Sequence, residues 1–192
     1  MKIIEGQFAG KQIQYKEQKG TRVTSEKVRK AVFDVLKGLV EFEGLNVADL
    51  FCGSGMYGVE AMSRGAKEVL FLDNNKSILK QLKENLSQLK VESLPAGEAG
   101  YKVESGKFEN FIVHYGSTQE HGTNTLFDLV FADPPYYEFD FQKFNNIYKI
   151  LNTEGIFVLE SSKRIEIGSL QGLKLIIEKK YGDSVVRFFK KK

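Results

Sequence analysis

Two clusters in this 192-residue chain have residue types and spacings suited to chemistry. The first is Asp133-Pro134-Pro135-Tyr136, which follows the apolar run Phe127-Asp-Leu-Val-Phe-Ala132. Proline fixes its own φ and holds the residue before it in extended geometry, so the backbone at Asp133 and Pro134 is rigid beyond a strand. The Asp133 carboxylate and the Pro134 carbonyl then converge as two hydrogen-bond acceptors, with the Tyr136 ring beside them. A planar amine on an aromatic base donates two hydrogen bonds and matches that pair. Its lone pair is delocalised into the ring and is a poor nucleophile. Accepting both N–H bonds while the nitrogen bends out of plane localises the pair and stabilises the charge that develops. Tyr136 can stack on the base and face a nearby cation. The alternative, a proline-stiffened loop capping a strand, leaves the acid at a buried edge unexplained.

The second cluster is Gly53-Ser54-Gly55-Met56-Tyr57-Gly58, which follows an apolar run from Leu45 to Phe51 that carries Asp49 near its end. This matches the dinucleotide fingerprint G-x-G-x-x-G, although turns of this form also serve as plain strand–helix connections. Glycines let the backbone turn tightly and approach a ligand, and the helix beyond offers unpaired N–H groups. Asp73 closes the apolar run Val69-Leu-Phe-Leu72 and suits a ribose diol. Asp49 is placed to orient the loop or the amino group of a cofactor.

Elements that must position these residues are legible in the periodicities. Residues 1–20 alternate loosely around Gly6 and Gly10, as in a short hairpin. Val28, Ala31, Val32, Val35, Leu36 and Leu39 predict an amphipathic helix with Thr24 or Ser25 as N-cap. Glu68–Asp73 predicts a second strand, Ile78 to Leu89 a helix, Tyr101–Glu104 a short strand and Phe108–Tyr115 a helix. Ser93–Gly100 reads as a loop and Gly116–Thr125 as a polar stretch. Phe127–Ala132 predicts a fourth strand, Phe141–Leu151 a helix and Gly155–Glu160 a fifth strand. Leu173–Lys180 and Val185–Phe189 form a terminal antiparallel pair. Strand–helix alternation ending in a hairpin predicts an α/β fold, a mostly parallel Rossmann-like sheet with one antiparallel strand. Right-handed crossovers put the strand C-termini on one edge, where such sheets bind ligands, and the glycine turn, Asp73 and Asp133 all fall there.

Composition narrows the partners. No apolar run approaches a membrane span, and the N-terminus lacks a signal-peptide pattern. Cys52 is the only cysteine, so no intrachain disulfide forms, which favours the reducing cytoplasm. His114 and His121 lack other metal-type ligands nearby, and no metal site is read. Net charge is +3 and unevenly placed: residues 1–30 hold eight Lys/Arg against three acids, and residues 174–192 hold seven against two. Basic ends around an acidic middle suggest a polyanionic partner, or equally a solubilising surface. Arg22, Lys27, Arg29 and Lys30 cluster at the start of the first helix, where basic residues oppose the helix dipole. Phosphate contact and a solvated face both account for them.

The sequence resembles S-adenosylmethionine-dependent methyltransferases. Asp133-Pro-Pro-Tyr136 is similar to their amine-methylating motif, and Asp49-Leu-Phe-Cys-Gly-Ser-Gly55 to their cofactor loop. It resembles more narrowly the bacterial ribosomal RNA guanine-N2 methyltransferases of the RsmD type, which act on small-subunit RNA. That resemblance runs through Ile3-Ile-Glu-Gly-Gln-Phe-Ala-Gly10, Arg22-Val-Thr-Ser-Glu-Lys-Val-Arg29, Gly58-Val-Glu-Ala-Met-Ser-Arg-Gly-Ala66 and Lys180-Tyr-Gly182. It implies one methyltransferase domain over 1–192 with residues 1–24 as an appended hairpin arm, acting as a cytoplasmic monomer on ribosomal RNA or the assembling small subunit. It implies S-adenosylmethionine as cofactor, with Phe51, Cys52, Ser54, Asn74 and Asp133 joining Asp49, Gly53, Gly55 and Asp73 around it. Asp133, Pro134, Pro135 and Tyr136 would be the catalytic residues. Glu5 stands where the family usually has glycine, Ala9 where it often has arginine, and Val23 in place of the usual proline. Ser105-Gly106 follows the third strand where many methyltransferases place an acid or amide against the adenine; main-chain atoms are available there instead.

Other readings are weaker. A nicotinamide-dependent dehydrogenase would leave Asp133-Pro-Pro-Tyr136 without a role, and Cys52 lies in the cofactor loop rather than at a nucleophile's position. DNA adenine-N6 methylation uses another exocyclic amine, but the chain is short for a DNA target-recognition domain. A non-catalytic RNA-binding protein on the same fold would have lost cofactor affinity.

Overall fold

The computed structural model describes residues 1–15, 25–91, 100–117, 126–135 and 140–192. Arg22, Tyr136, the loop at 93–99 and the polar stretch at 118–125 lie outside the described residues. The elements in chain order are α1 (Glu26–Leu36), β1 (Asn46–Leu50), α2 (Met56–Ser63), β2 (Glu68–Asp73), α3 (Lys76–Gln88), β3 (Gly100–Ser105) and α4 (Phe108–Ser117). Then come β4 (Phe127–Ala132), a 3-10 helix (Phe141–Ile150), β5 (Leu151–Ser162), β6 (Leu173–Tyr181) and β7 (Ser184–Lys191). They form a seven-stranded sheet in the order β3-β2-β1-β4-β5-β7-β6. β1 to β5 are parallel, and β7 lies antiparallel between β5 and β6.

Side chains alternate across the sheet and build two cores. Val47, Val69, Phe71, Leu129, Phe131 and Val158 face one way, with Val32 and Phe33 of α1, Met62 of α2 and Leu82 of α3. Ala48, Leu50, Leu70, Val130 and Phe157 face the other, with Phe111 of α4 and Phe144 and Ile147 of the 3-10 helix. The central strands are buried on both faces, which is why they read as continuous apolar runs.

Differences from the periodicity reading have local causes. Ser25 is the N-cap of α1, its Oγ accepting from Val28 N at 3.2 Å. The helix ends at Leu36, so Leu39 is exposed. The expected helix over 141–151 is 3-10, and its buried residues Phe141, Phe144, Ile147 and Ile150 recur every third position, matching three residues per turn. β5 begins at Leu151 rather than Gly155, because Phe127 pairs with Leu151 but Leu129 pairs with Ile156. The extra residues bulge outward at Glu154, whose φ is 66°.

Residues 1–15 make one antiparallel bridge, Lys2 to Gln12, and put Ile3 and Ile13 into the core beneath α1, α2 and α3. A buried charge cluster holds them. Glu60 of α2 accepts from Ile4 N (2.7 Å) and Arg29 Nε (3.2 Å) with one oxygen, and from Arg64 Nη1 with the other. Arg29 also donates to Lys2 O at 2.7 Å. Among the described residues, no helix is long and apolar enough to cross a membrane.

Candidate active site

Strand order reverses between β1 and β4, and the C-terminal ends of β1, β2 and β4 there carry the sequence clusters. β1 runs into Phe51, Cys52 and the glycine turn. Phe51 has a left-handed φ of 56°, rare for a bulky residue and a sign of a constrained functional turn. Its ring is fixed 5.3 Å from Phe108 and 6.2 Å from Phe144. Gly53 also has positive φ (49°), and a Cβ there would meet nothing nearer than Phe51 O at 3.9 Å, so the turn is open to a ligand. Gly58 serves packing: a Cβ would lie 2.3 Å from Phe71 Cε1, so only glycine lets α2 sit this close to β2.

Two acids brace the turn. Asp49 is buried and accepts from Gly58 N at 2.8 Å, which ties the end of β1 to the first turn of α2. Burial pushes its carboxyl well above the usual range, the Gly58 hydrogen bond opposes this, and the charges of Asp133 and Asp73 add to it. Asp73 Oδ2 accepts from Gly53 N at 3.0 Å and Oδ1 from Asn75 N at 2.9 Å. Each carboxylate oxygen has a second lone pair, so Asp73 can still take donors from a ligand. Cys52 is buried and burial pushes its thiol well up, which removes it as a nucleophile.

A cavity of about 170 Å³ opens on this edge. It is lined by Asp73 and Asn74 after β2, Gly106, Lys107 and Phe108 after β3, Pro134 and Pro135 after β4, and the rings of Phe51 and Phe144. Lys143 and Glu109 pair across its rim at 2.8 Å. Of these groups Asp73 suits a ribose diol and the slot edged by Gly106 and Lys107 suits an adenine, while the open glycine turn after β1, outside this lining, is available to the methionine end of S-adenosylmethionine. Ser54 and Gly55 complete the turn, with Gly55 (φ 74°) as the N-cap of α2.

Arg29 requires a correction. The phosphate-binding reading fails for it, because it is 1% exposed and bound to Glu60 and Lys2 O. Its position in the apolar stripe between Val28 and Val32 turns it inward, and the Glu60 carboxylate compensates its burial. Lys27 and Lys30 are exposed, with Lys30 paired to Asp34 at 2.7 Å.

Two residues at the same edge escape sequence reasoning. Tyr57 occupies a variable position of the glycine fingerprint, and its ring stacks on Phe131 at 4.9 Å. Its hydroxyl donates to Glu160 Oε2 at 2.9 Å. Burial pushes the Tyr57 hydroxyl well up, and the charges of Glu160 and Asp133 add to it, so both acids lie near that hydroxyl. Glu160 is an acid near the end of a buried strand, the same signal that marks Asp73 and Asp133.

The reversed β7, the strand order and the glycine turn after β1 define a Rossmann-like methyltransferase fold. The chain belongs to the family described as conserved hypothetical protein 95, the RsmD family, whose model matches residues 1–190. It is 28% identical over 196 residues to YlbH of Bacillus subtilis, across the whole of both chains. It is 32% identical over 137 residues to ribosomal RNA small subunit methyltransferase D of Haemophilus influenzae, covering 71% of this chain and 64% of that one. The match thus spans less than two thirds of that relative's length. The solved structure of yhhF from Escherichia coli is similar with a TM-score of 0.81 at 23% identity, covering 100% of this chain and 98% of that one, a likeness of fold.

Proposed function

We propose that this protein transfers a methyl group from S-adenosylmethionine to the exocyclic N2 amine of a guanine in small-subunit ribosomal RNA. The observation that carries the reading is one cavity lined by both Asp73 and Pro134-Pro135, which supports a cofactor and an amine bound next to each other. The relative named ribosomal RNA small subunit methyltransferase D supports the substrate class. When bound, S-adenosylmethionine supplies an activated methyl group on a sulfonium. Asp73 accepts the ribose hydroxyls, and Gly53 and Gly55 let the main chain approach the methionine end. Asp133 and the Pro134 carbonyl accept the two N–H bonds of the amine, and Tyr136 stacks on the base. Asp133 need not remove a proton beforehand, since the nitrogen sheds one after it has gained the methyl group.

The test is nucleoside mass spectrometry of small-subunit RNA from a strain lacking the protein. One N2-methylguanosine should disappear and be restored by the purified protein with S-adenosylmethionine, which also maps the target nucleotide. RNA with an unchanged methylation pattern would sink the reading. The cofactor assignment is checked by calorimetry: Asp73→Ala should lose about 1.5–3 kcal/mol of S-adenosylhomocysteine affinity, as for hydrogen bonds to a charged group.

Lys27 and Lys30, with the exposed lysines Lys174, Lys179 and Lys180 of β6, are the proposed phosphate contacts. Such contacts make binding depend on salt and carry little sequence information. A Lys27→Ala/Lys30→Ala double variant should bind RNA with a log K against log salt slope shallower by about 0.7 per lost contact. An unchanged slope and affinity would reduce both lysines to a solvated helix face.

A further inference from the structure

Near Asp133 lies a buried carboxylate, Glu160, that neither the cofactor nor the amine assignment uses. Glu160 is 3% exposed, its Oε2 takes the Tyr57 hydroxyl, and its Oε1 has no hydrogen-bond or ion-pair partner among the described residues. Oε1 keeps a small exposed surface and takes no donor from the described residues, so it is open to a donor from outside the chain. Its place says what donor. Phe131 of β4 and Val158 of β5 pair in register and face the α1–α2 side, and Asp133 and Glu160 each lie two residues further on. Side chains two apart in extended backbone share a face, so the register sets the two acids side by side, with the Tyr57 hydroxyl on Glu160.

Guanine presents its N1–H directly beside the N2 amine. Adenine and other purines with a bare N1 present a lone pair there, which a carboxylate repels. We propose that Glu160 selects guanine, its Oε1 accepting the base N1–H while Asp133 holds the N2 amine; this rests on the function proposed above. Tyr57 is a positioning residue, because its hydroxyl fixes Oε2 and so turns Oε1 toward the base. Asp133 recognises an amine, and Glu160 recognises which amine.

The test uses the full chain, S-adenosylmethionine and a short RNA carrying the mapped target nucleotide as guanosine or as 2-aminopurine. The analogue keeps the amine and presents a bare N1. The wild-type protein should methylate the analogue about tenfold to a hundredfold less well in kcat/KM, the worth of a hydrogen bond to a charged group. In Glu160→Gln the side-chain amide can turn and donate to the bare N1, so the ratio should collapse toward one, with S-adenosylhomocysteine affinity unchanged by calorimetry. Tyr57→Phe should narrow the ratio in part and keep that affinity. Loss by the same factor on both RNAs in Glu160→Gln, or a wild-type protein indifferent to the analogue, would overturn the inference and leave the function standing. If Glu160→Gln does not fold, Tyr57→Phe decides, and an unchanged ratio overturns it. A wild-type protein that forms no N2-methylguanosine overturns the function and this inference together.

Discussion

Asp133→Asn is expected to slow single-turnover methylation of small-subunit RNA by about a hundredfold or more, the loss typical of one transition-state hydrogen bond. The substitution keeps the shape of the side chain but removes its charge and replaces one acceptor oxygen by a donor. The amine nitrogen becomes positive as the methyl group arrives, so the lost interaction is one that strengthens on the way to the transition state. The surroundings sharpen this. The charge of Asp133 reaches the buried Asp49 carboxyl and the Tyr57 hydroxyl and pushes both upward, so a carboxylate here favours a cationic centre over a neutral one. Cofactor affinity should be retained, because Asp73 and the glycine turn remain. Near wild-type turnover by the Asp133→Asn variant would remove the amine-acceptor mechanism.

Glu60→Ala should have the largest effect on stability. It strips the shared carboxylate from Arg29 and Arg64, whose side chains are 1% and 6% exposed, and orphans the Ile4 amide. Removing one partner of a buried ion pair costs about 3–5 kcal/mol, and what stays is little: the half-exposed Glu5 carboxylate 3.3 Å from Arg64 Nη2 and the Lys2 carbonyl on Arg29. Arg64 is already demanding: its Nε has no hydrogen-bond partner among the described residues, and its guanidinium lies 4.3 Å from the Phe33 ring centre. Domains of this kind have about 5–15 kcal/mol in total, so the variant should be marginal in urea unfolding. Residues 1–15 should lose hydrogen-exchange protection first, since the cluster fastens them to α1 and α2. A loss below about 1 kcal/mol would mean that water enters and solvates the two guanidinium groups.

The amino-acid sequence by itself determined the parts that depend on local chemistry. Continuous apolar runs marked β1, β2 and β4, because strands buried on both faces admit no polar alternation. The glycine turn and the acids at 49, 73 and 133 were legible, because backbone freedom, charge and proline rigidity belong to residue types at fixed spacing. The three-residue repeat of Phe141, Phe144, Ile147 and Ile150 is equally open to reading as 3-10, but long 3-10 runs are uncommon, so the spacing alone favours the commoner helix. What remained hidden depended on residues far apart in the chain. Arg29 carries a charge that propensity places outside, and Glu60, 31 residues on, with the Lys2 carbonyl, makes its burial tolerable. Tyr57 and Glu160 are 103 residues apart, and nothing near either signals the other. The parallel register of β4 and β5 brings Glu160 beside Asp133. Tertiary structure alone decided that register, because pairing between strands is set by the packing of the whole sheet rather than by the sequence of either strand.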